Sequence, residues 1–513
     1  MNKINNEKYN AAYDLINRNI LSNPDKIAFI DNNNNKITYN ELFIKVKTFA
    51  QSIRNIDINP NDRVLVCMDD SINYPIVFLG LIWAGVIPIC INTMLPVKDY
   101  QYMIKDSEAK AIIISSHLIS KFKIIEDENS NLLFIYDSDK GDLNLDSLIQ
   151  KNNKTMEIHN ESFEKDIAFW LYSSGSTGSP KGTLHMHKSL IETASNYAKE
   201  ILKINKHDIC FSAAKLFFAY GLGNALTFPM SVGATSILMS DRPTPESVSH
   251  IIQKNAVTLF FGVPTLYAAL LNSKISHSLF KSLRLSVSAG EALPANLYEK
   301  WYKFLGIKVL DGIGSTEMLH IFISNTIDNI TPGASGKPVP GYEARLINDD
   351  GSIASDNQIA ELEIKGPSSA VSYWNKPEKS KVTFNAEWTR TGDKYIRNTK
   401  GIYTYCGRAD DMMKVSGQYV SPFEVEAALQ THDEVLEAAV VAKKDKDNLI
   451  KPKAFIILKN HCNDEEILKT KLTNHVKKEL TPFKYPRWYE FVEVLPKTAT
   501  GKIQRYKLRT NDD

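Results

Sequence analysis

Tyr172-Ser-Ser-Gly-Ser-Thr-Gly-Ser-Pro-Lys-Gly182 packs three glycines, four serines, a threonine and a lysine behind the apolar stretch Ile167 to Leu171. The composition suits a loop that holds a polyanion. Glycines let backbone amides approach closely, hydroxyls add donors, and Lys181 brings a point charge. The stretch is not a Walker A sequence, because Lys181 is followed by Gly182 and Thr183 where that motif needs Ser or Thr directly after the lysine. A Gly/Ser/Thr cluster behind a strand is by itself only a loop, so its meaning depends on the rest of the chain.

Further clusters follow in order. They are Asp311-Gly-Ile-Gly-Ser-Thr-Glu317, then Thr391-Gly-Asp393 with Gly407-Arg-Ala-Asp-Asp411, and finally Pro496-Lys-Thr-Ala-Thr-Gly-Lys502. Together with the loop, in order and approximate spacing, they resemble the adenylate-forming enzymes: acyl-CoA synthetases, luciferases and peptide-synthetase adenylation domains. The likeness runs from Asn10 to Leu508 and narrows in the middle. There Lys215-Leu-Phe-Phe-Ala-Tyr-Gly-Leu-Gly-Asn224 and Gly314-Ser-Thr-Glu-Met-Leu-His-Ile-Phe322 are similar to the benzoate-CoA ligase branch.

Composition sets independent bounds. A chain of 513 residues is too long for one core, so two or more domains are expected. Its 43% hydrophobic and 23% charged content is that of an ordinary globular protein. With 61 basic against 59 acidic residues there is no field-level argument for a nucleic-acid partner. The cysteines, Cys67, Cys90, Cys210, Cys406 and Cys462, are scattered and form no Cys-x-x-Cys pair. They read as small buried hydrophobes in a reducing compartment. Met1 to Asn10 is polar and lacks the apolar core of a signal peptide, so a cytoplasmic location is expected. Ser71 to Val97 carries no Lys, Arg, Asp or Glu before Lys98 and is long enough to cross a bilayer. Pro75, Gly80, Gly85 and Pro88 interrupt it, which favours a buried helix from Tyr74 to Gly85 and a strand from Val86 to Cys90 over a membrane span.

Short β-branched runs at Arg63 to Met68, Ala111 to Ser115, Leu132 to Tyr136, Val257 to Val263 and Leu285 to Ser288 alternate with helix-like stretches. That alternation predicts layered α/β architecture with parallel sheets. Beyond Tyr342 the pattern turns to strands such as Ala360 to Ile364 and Gly401 to Tyr405, predicting a β subdomain. A boundary is expected at Arg408 to Asp411, dividing an N-terminal domain, 1–409, from a small mobile α+β domain, 410–513. In the latter, Ser421-Pro-Phe-Glu424 reads as a capping box opening a helix from Pro422 to Leu429.

The resemblance implies a chemistry and assigns residues to it. A carboxylate attacks the α-phosphate of ATP and pyrophosphate leaves; the acyl-adenylate then passes to CoA. Ser173, Ser174, Gly175, Ser176, Thr177, Gly178 and Lys181 would cradle the β- and γ-phosphates, Thr316 would meet the α-phosphate, and Glu317, with Thr177, would hold Mg²⁺. Ser288, Ala289, Gly290, Glu291, Asp311 and Gly312 would border adenine. Ile313 stands where many relatives have an aromatic residue, so apolar cover rather than stacking is expected there. Asp393 and Arg408 would hold the ribose, and Lys502 would act as the catalytic lysine. Asp410 matches the hinge and Gly417 the glycine of the CoA channel. Phe218, Ala219, Tyr220, Gly314, His320 and Ile321 would line the acyl slot, with Phe218 replacing a gating histidine found in many acyl-CoA synthetases.

Some residues carry a plainer reading. His185 and His187 form a His-x-His without a third ligand of suitable spacing and are expected as structural residues in a helix after the loop. Lys497 reads as a structural or surface residue, and Cys406 has no neighbour that would activate it. The expected reaction is ligation of benzoate, with ATP, Mg²⁺ and CoA. A substituted benzoate or other small acid, and a non-catalytic nucleotide-binding homologue, remain as alternatives. The partners are small molecules, with no nucleic acid and no membrane; a homodimer is left open.

Overall fold

The computed structural model describes residues 7–129, 131–138, 143–150, 155–173, 180–415, 418–446, 449–460, 464–497 and 503–510. The β-branched runs become strands of two large sheets. The first has six strands in the order Leu133–Asp137, Ala111–Ser115, Arg63–Cys67, Ile87–Cys90, Ile167–Ser173 and Lys181–Met186. Neighbours are parallel except the last pair, which is antiparallel. Parallel strands buried on both faces need near-continuous apolar sequence, and Ala111–Ser115 is buried at every position.

The second sheet has nine strands, and at its centre Leu285–Ser288, Leu259–Gly262, Ile209–Ser212 and Thr235–Ile237 run parallel. Val309–Gly314 pairs in parallel with Leu285–Ser288 on one side and antiparallel with Ile321–Ser324 on the other. A five-stranded antiparallel sheet follows, including Ile359–Lys365, Trp388–Arg397 and Tyr403–Arg408. The last unit is built on Val435–Lys444, Ile450–Leu458 and Trp488–Phe491, covered by helices Pro422–Gln430 and Glu465–Glu479. The α/β class expected from the sequence therefore holds.

The apolar stretch after Ser71 forms the helix Asn73–Trp83, buried from Tyr74 onward, and the strand Ile87–Cys90. Among the described residues no helix is long and apolar enough to cross a membrane. Cys67, Cys90, Cys210 and Cys406 are buried free thiols; Cys462 lies outside the described residues.

Two local expectations need correction. His185 is not in a helix: it lies on the strand Lys181–Met186, and His187 opens the helix His187–Thr193. The reason is the antiparallel register that sets Ser173 opposite Lys181 and Phe169 opposite His185, which carries the second strand through His185. The capping box is only half formed. Ser421 Oγ accepts from the Glu424 amide at 3.1 Å, but the Glu424 carboxylate is taken by Lys484 Nζ at 2.6 Å.

Candidate active site

Parallel strands aim their following loops at one edge of a sheet, the usual place for ligands in α/β folds. Ser288, Ala289 and Gly290 leave the end of Leu285–Ser288, while Asp311 to Gly314 finish the neighbouring strand in register with it, Ser288 opposite Asp311. Gly290 has φ +93°, and a Cβ built on it would meet only Val263, at 3.7 Å. The backbone there needs glycine for its conformation rather than for space. Asp311 is buried, and its Oδ1 has no hydrogen-bond partner. Burial drives its carboxyl well above the usual range, against the pull of the Leu293 and Gly312 amides. Ile313 is half-buried and packs on the apolar cluster behind the site. Glu291 lies in the same bend, half-exposed.

A second edge comes from the antiparallel sheet. Asp393 and Arg408 sit directly opposite each other on adjacent strands. Arg408 Nη1 donates to Asp393 Oδ1 at 3.0 Å and to the Thr391 carbonyl at 2.9 Å. Desolvation is the largest influence and works against the guanidinium charge, but Asp393, Tyr405 and Asp410 together outweigh it and the Arg408 pKa is raised. Gly392 turns the chain with φ +71°, and a Cβ there would come within 2.8 Å of Arg408 Nη2.

The third edge holds the phosphate candidates. Lys181 leaves the hairpin beside Tyr373, its ammonium 4.2 Å from the ring centroid. Burial pulls the Lys181 pKa down, with Glu317 acting in the opposite direction. Glu317 lies in the turn after Gly314, where its carbonyl accepts from Ala370 and its Oε1 accepts from Tyr373 Oη at 2.7 Å. Thr316 precedes it in that turn, whose shape is held by the Met318 amide donating to Ser315 Oγ at 3.2 Å. Beneath the hairpin, Tyr172 and Tyr102 both donate to Asp106, at 2.8 and 3.2 Å, and Trp374 Nε1 donates to the Asp106 carbonyl at 2.8 Å.

The acyl candidates converge on one buried histidine. The His320 ring lies 5.5 Å from Tyr220, 5.3 Å from Tyr197 and 4.5 Å from Phe228, centroid to centroid. Its Nε2 donates to Asn224 Oδ1 at 3.1 Å. Burial lowers its pKa to about 3, so the ring is neutral. Tyr220 donates to the Val287 carbonyl at 3.2 Å, which ties the segment 215–224 to the strand Leu285–Ser288. A Cβ on Gly223 would strike His320 Cδ2 at 2.5 Å, and one on Gly314 the His320 carbonyl carbon at 2.7 Å. These glycines let the backbone close around the ring. Ala219 and Phe218 are half-buried at the start of the segment, and Ile321 is buried behind His320.

Lys181, Glu317 and Arg408 lie near enough for their charges to act on one another, and Tyr220 joins the aromatic cluster around His320 to the strand Leu285–Ser288. Ser174, Gly175, Ser176, Thr177, Gly178, Gly417 and Lys502 lie outside the described residues. Asn224, Tyr197 and Tyr373 were not predicted from sequence. Asn224 was within the quoted acyl segment, one helical turn from Tyr220, a spacing that places both on one face.

Other residues make local contacts. His185 stacks on Phe169 at 5.1 Å, and burial lowers its pKa to about 3. His187 Nδ1 accepts from the Ala11 amide at 3.2 Å. Among the described residues no group of metal-ligating side chains is found. Burial pushes the Cys406 thiol up to about 12, far from a nucleophile. Lys497 pairs with Glu437 at 2.6 Å.

A model of AMP-binding enzymes matches residues 16–374, and one of the AMP-binding enzyme C-terminal domain matches 424–502. The chain belongs to the AMP-binding enzyme family. It is 51% identical to a benzoate-CoA ligase of Thauera aromatica, over 98% of this chain and 96% of that protein. Identity to a 4-hydroxybenzoate-CoA/benzoate-CoA ligase of Rhodopseudomonas palustris is 43%, over 98% and 94%. Among solved structures, a benzoate CoA ligase from Burkholderia xenovorans superposes with a TM-score of 0.91 at 46% identity, covering 98% of this chain and 100% of that one. An anthranilate CoA ligase in complex with anthranoyl-AMP gives 0.93 at 37% identity, over 98% and 97%. The family architecture, a large N-terminal AMP-binding domain and a small C-terminal domain, is the one described above.

Proposed function

We propose that the chain is an AMP-forming acid-thiol ligase that activates benzoate and transfers it to CoA. The observation that carries this is the placing of an aromatic slot around Tyr220 and His320 beside the adenine strands, with the Asp393–Arg408 pair and the Lys181, Glu317 edge alongside. A flat aryl acid needs a short apolar slot, and a triphosphate needs cations and donors at its mouth.

In the first half-reaction the benzoate carboxylate attacks the α-phosphorus, the bond to the β-phosphate bridging oxygen breaks, and pyrophosphate departs. Lys181 and the hairpin hold the departing charge. Asp393 accepts from the ribose hydroxyls, with Arg408 fixing its orientation. Thr316 and Lys502 act at the bond being made. The Glu317 carboxylate fits a hard divalent cation, since one of its oxygens is oriented by a neutral phenol and no lysine or arginine of the described residues pairs with it. Mg²⁺ held by Glu317 and Thr177 would supply charge against the triphosphate oxygens. In the second half-reaction the CoA thiolate attacks the acyl carbon and AMP leaves, giving benzoyl-CoA.

The two steps are read as using two placements of the C-terminal domain, 410–513. Supporting this, Ala409 still bonds back to the Gly392 carbonyl at 2.9 Å, whereas Asp411 pairs forward with Arg509, and Asp410 stands exposed between them. A backbone rotation at Asp410 would leave those two contacts intact and break the turn bonds from the Asp411 and Met412 amides to the Arg408 carbonyl, at 3.0 and 3.1 Å. Gly417 is read as lining the CoA channel in the second placement. A cytoplasmic setting, with free buried thiols, completes the reading.

Purified protein given ATP, Mg²⁺, CoA and a panel of benzoate, hydroxybenzoates, aminobenzoates and short acyl acids should release AMP, fastest with benzoate. Faster release with a substituted benzoate would move the substrate, and absence of AMP with every acid would sink the proposal.

A further inference from the structure

None of the sequence clusters points to Tyr373, yet it is buried and touches both charged groups of the phosphate edge. Its hydroxyl donates to Glu317 Oε1 at 2.7 Å, and its ring face lies under the Lys181 ammonium, 4.2 Å from the centroid. The side chain has little freedom to leave. Val371 donates to the Leu184 carbonyl at 2.9 Å, Leu184 to the Ser372 carbonyl at 3.1 Å, and Trp374 to the Gly182 carbonyl at 2.8 Å, so the backbone around Tyr373 is laced to the strand that carries Lys181. On its other side the Ala370 amide binds the Glu317 carbonyl at 2.8 Å. The ring is further packed against Phe384, 5.1 Å away.

Lys181 and Glu317 carry opposite charges and feel each other, but they do not form an ion pair. Had they paired, each arriving nucleotide would first have to break that pair, losing the energy it recovers from the phosphates. A ring face attracts an ammonium without neutralising it. A phenol hydroxyl fixes a carboxylate while leaving its second oxygen available to a hard cation. We propose that Tyr373 is a positioning residue for adenylation, holding Lys181 ready for phosphate and Glu317 ready for the divalent cation, and keeping the two apart until nucleotide binds. The inference rests on the phosphate-edge reading given under Proposed function.

The test is calorimetric titration of ATP into the full chain, without carboxylate substrate, over a series of Mg²⁺ concentrations. Tyr373→Phe keeps the ring and loses the hydroxyl. It should leave metal-free ATP affinity near the wild-type value while raising the Mg²⁺ needed for half-maximal enhancement by about tenfold, the scale of one lost hydrogen bond to a charged group. Tyr373→Leu loses the ring as well and should weaken ATP binding about threefold even without added Mg²⁺, the scale of a cation–π contact. Both variants should still convert supplied benzoyl-adenylate and CoA to benzoyl-CoA at the wild-type rate, a result that general misfolding would not give. A Tyr373→Phe titration that overlays wild type at every Mg²⁺ concentration would overturn the positioning role alone. A wild-type chain that binds no ATP with or without Mg²⁺ would overturn the phosphate-edge reading and this inference with it. Equal loss of both half-reactions in both variants would likewise overturn the positioning role, by making Tyr373 simply structural.

Discussion

The proposed phosphate edge and the proposed acyl slot hold their side chains by different means. At the ribose and phosphate edges the charged groups are met by directed contacts: Asp393 by a guanidinium, Glu317 by a phenol and Lys181 by a ring face. In the acyl slot the central polar residue, His320, has given up its charge, with burial lowering its pKa to about 3, and is held among three rings and Asn224. Charge at one end suits a ligand that is always an anion with many oxygens. Neutral packing at the other suits a flat hydrocarbon ring, where shape rather than charge selects. Substitutions should therefore separate into those that alter ATP and metal dependence and those that alter the choice of acid.

The largest effect is expected at Lys502. Lys502→Ala should lower benzoyl-adenylate formation by about 10²–10³-fold, the usual cost of one transition-state charge stabiliser, while supplied benzoyl-adenylate is still consumed with CoA. A bulky replacement of Gly417 should do the reverse, and pyrophosphate release and thioester formation measured separately would distinguish them. Equal failure of both variants in both half-reactions would contradict the two-placement account.

Next in size is Asp393→Ala. It removes a carboxylate bonded to Arg408 and should raise the KM for ATP roughly tenfold, the scale of a charge-assisted hydrogen bond, with the KM for benzoate unchanged. His320→Ala opens the acyl slot and should raise the benzoate KM about fivefold, within the 1–3 kcal/mol that pocket shape commands, while the KM for ATP stays put. A change in both constants by either variant would erase the distinction between the two ends.

The smallest effect is on stability against acid. His185 is buried and neutral with its pKa lowered to about 3, whereas in the unfolded chain it protonates near the ordinary histidine value. The unfolded state therefore binds more protons below about pH 6.5, and stability falls as pH drops from there toward 3. Asp70 acts with the opposite sign: burial raises its pKa to about 6, so its contribution falls as pH rises from the ordinary carboxylate value toward 6. Urea melts of His185→Phe should show a loss between pH 6.5 and 5.5 smaller than that of wild type by about 1 kcal/mol. An unchanged pH slope would show that His185 takes up its proton as readily in the folded protein as in the unfolded chain.

The sequence was most readable where local pattern and burial agree. Ala111 to Ser115 and Leu285 to Ser288 are strands with the bounds their β-branched runs suggested, because both faces of a parallel strand must be apolar. Gly290 has the positive φ that suits a glycine, and Asp393 and Arg408 face each other across adjacent strands. What local pattern missed depends on distant partners. His185 was expected in a helix, but pairing with Phe169 across the hairpin fixes it in a strand. Glu424 fits a capping box by spacing, but Lys484, distant in sequence, offers a full charge where the backbone amide offers only a dipole. Tyr373 has no motif of its own; its role comes from the chain lacing residues 370–374 between the Lys181 strand and the Glu317 turn.

The central claim is that benzoate oxygen attacks the α-phosphorus, and isotope transfer tests it most directly. With benzoate labelled by oxygen-18 in both carboxylate positions, plus ATP, Mg²⁺ and CoA, mass spectrometry of the products should find one heavy oxygen in AMP and the other in benzoyl-CoA. Unlabelled AMP, or label in phosphate or ADP, would contradict the account.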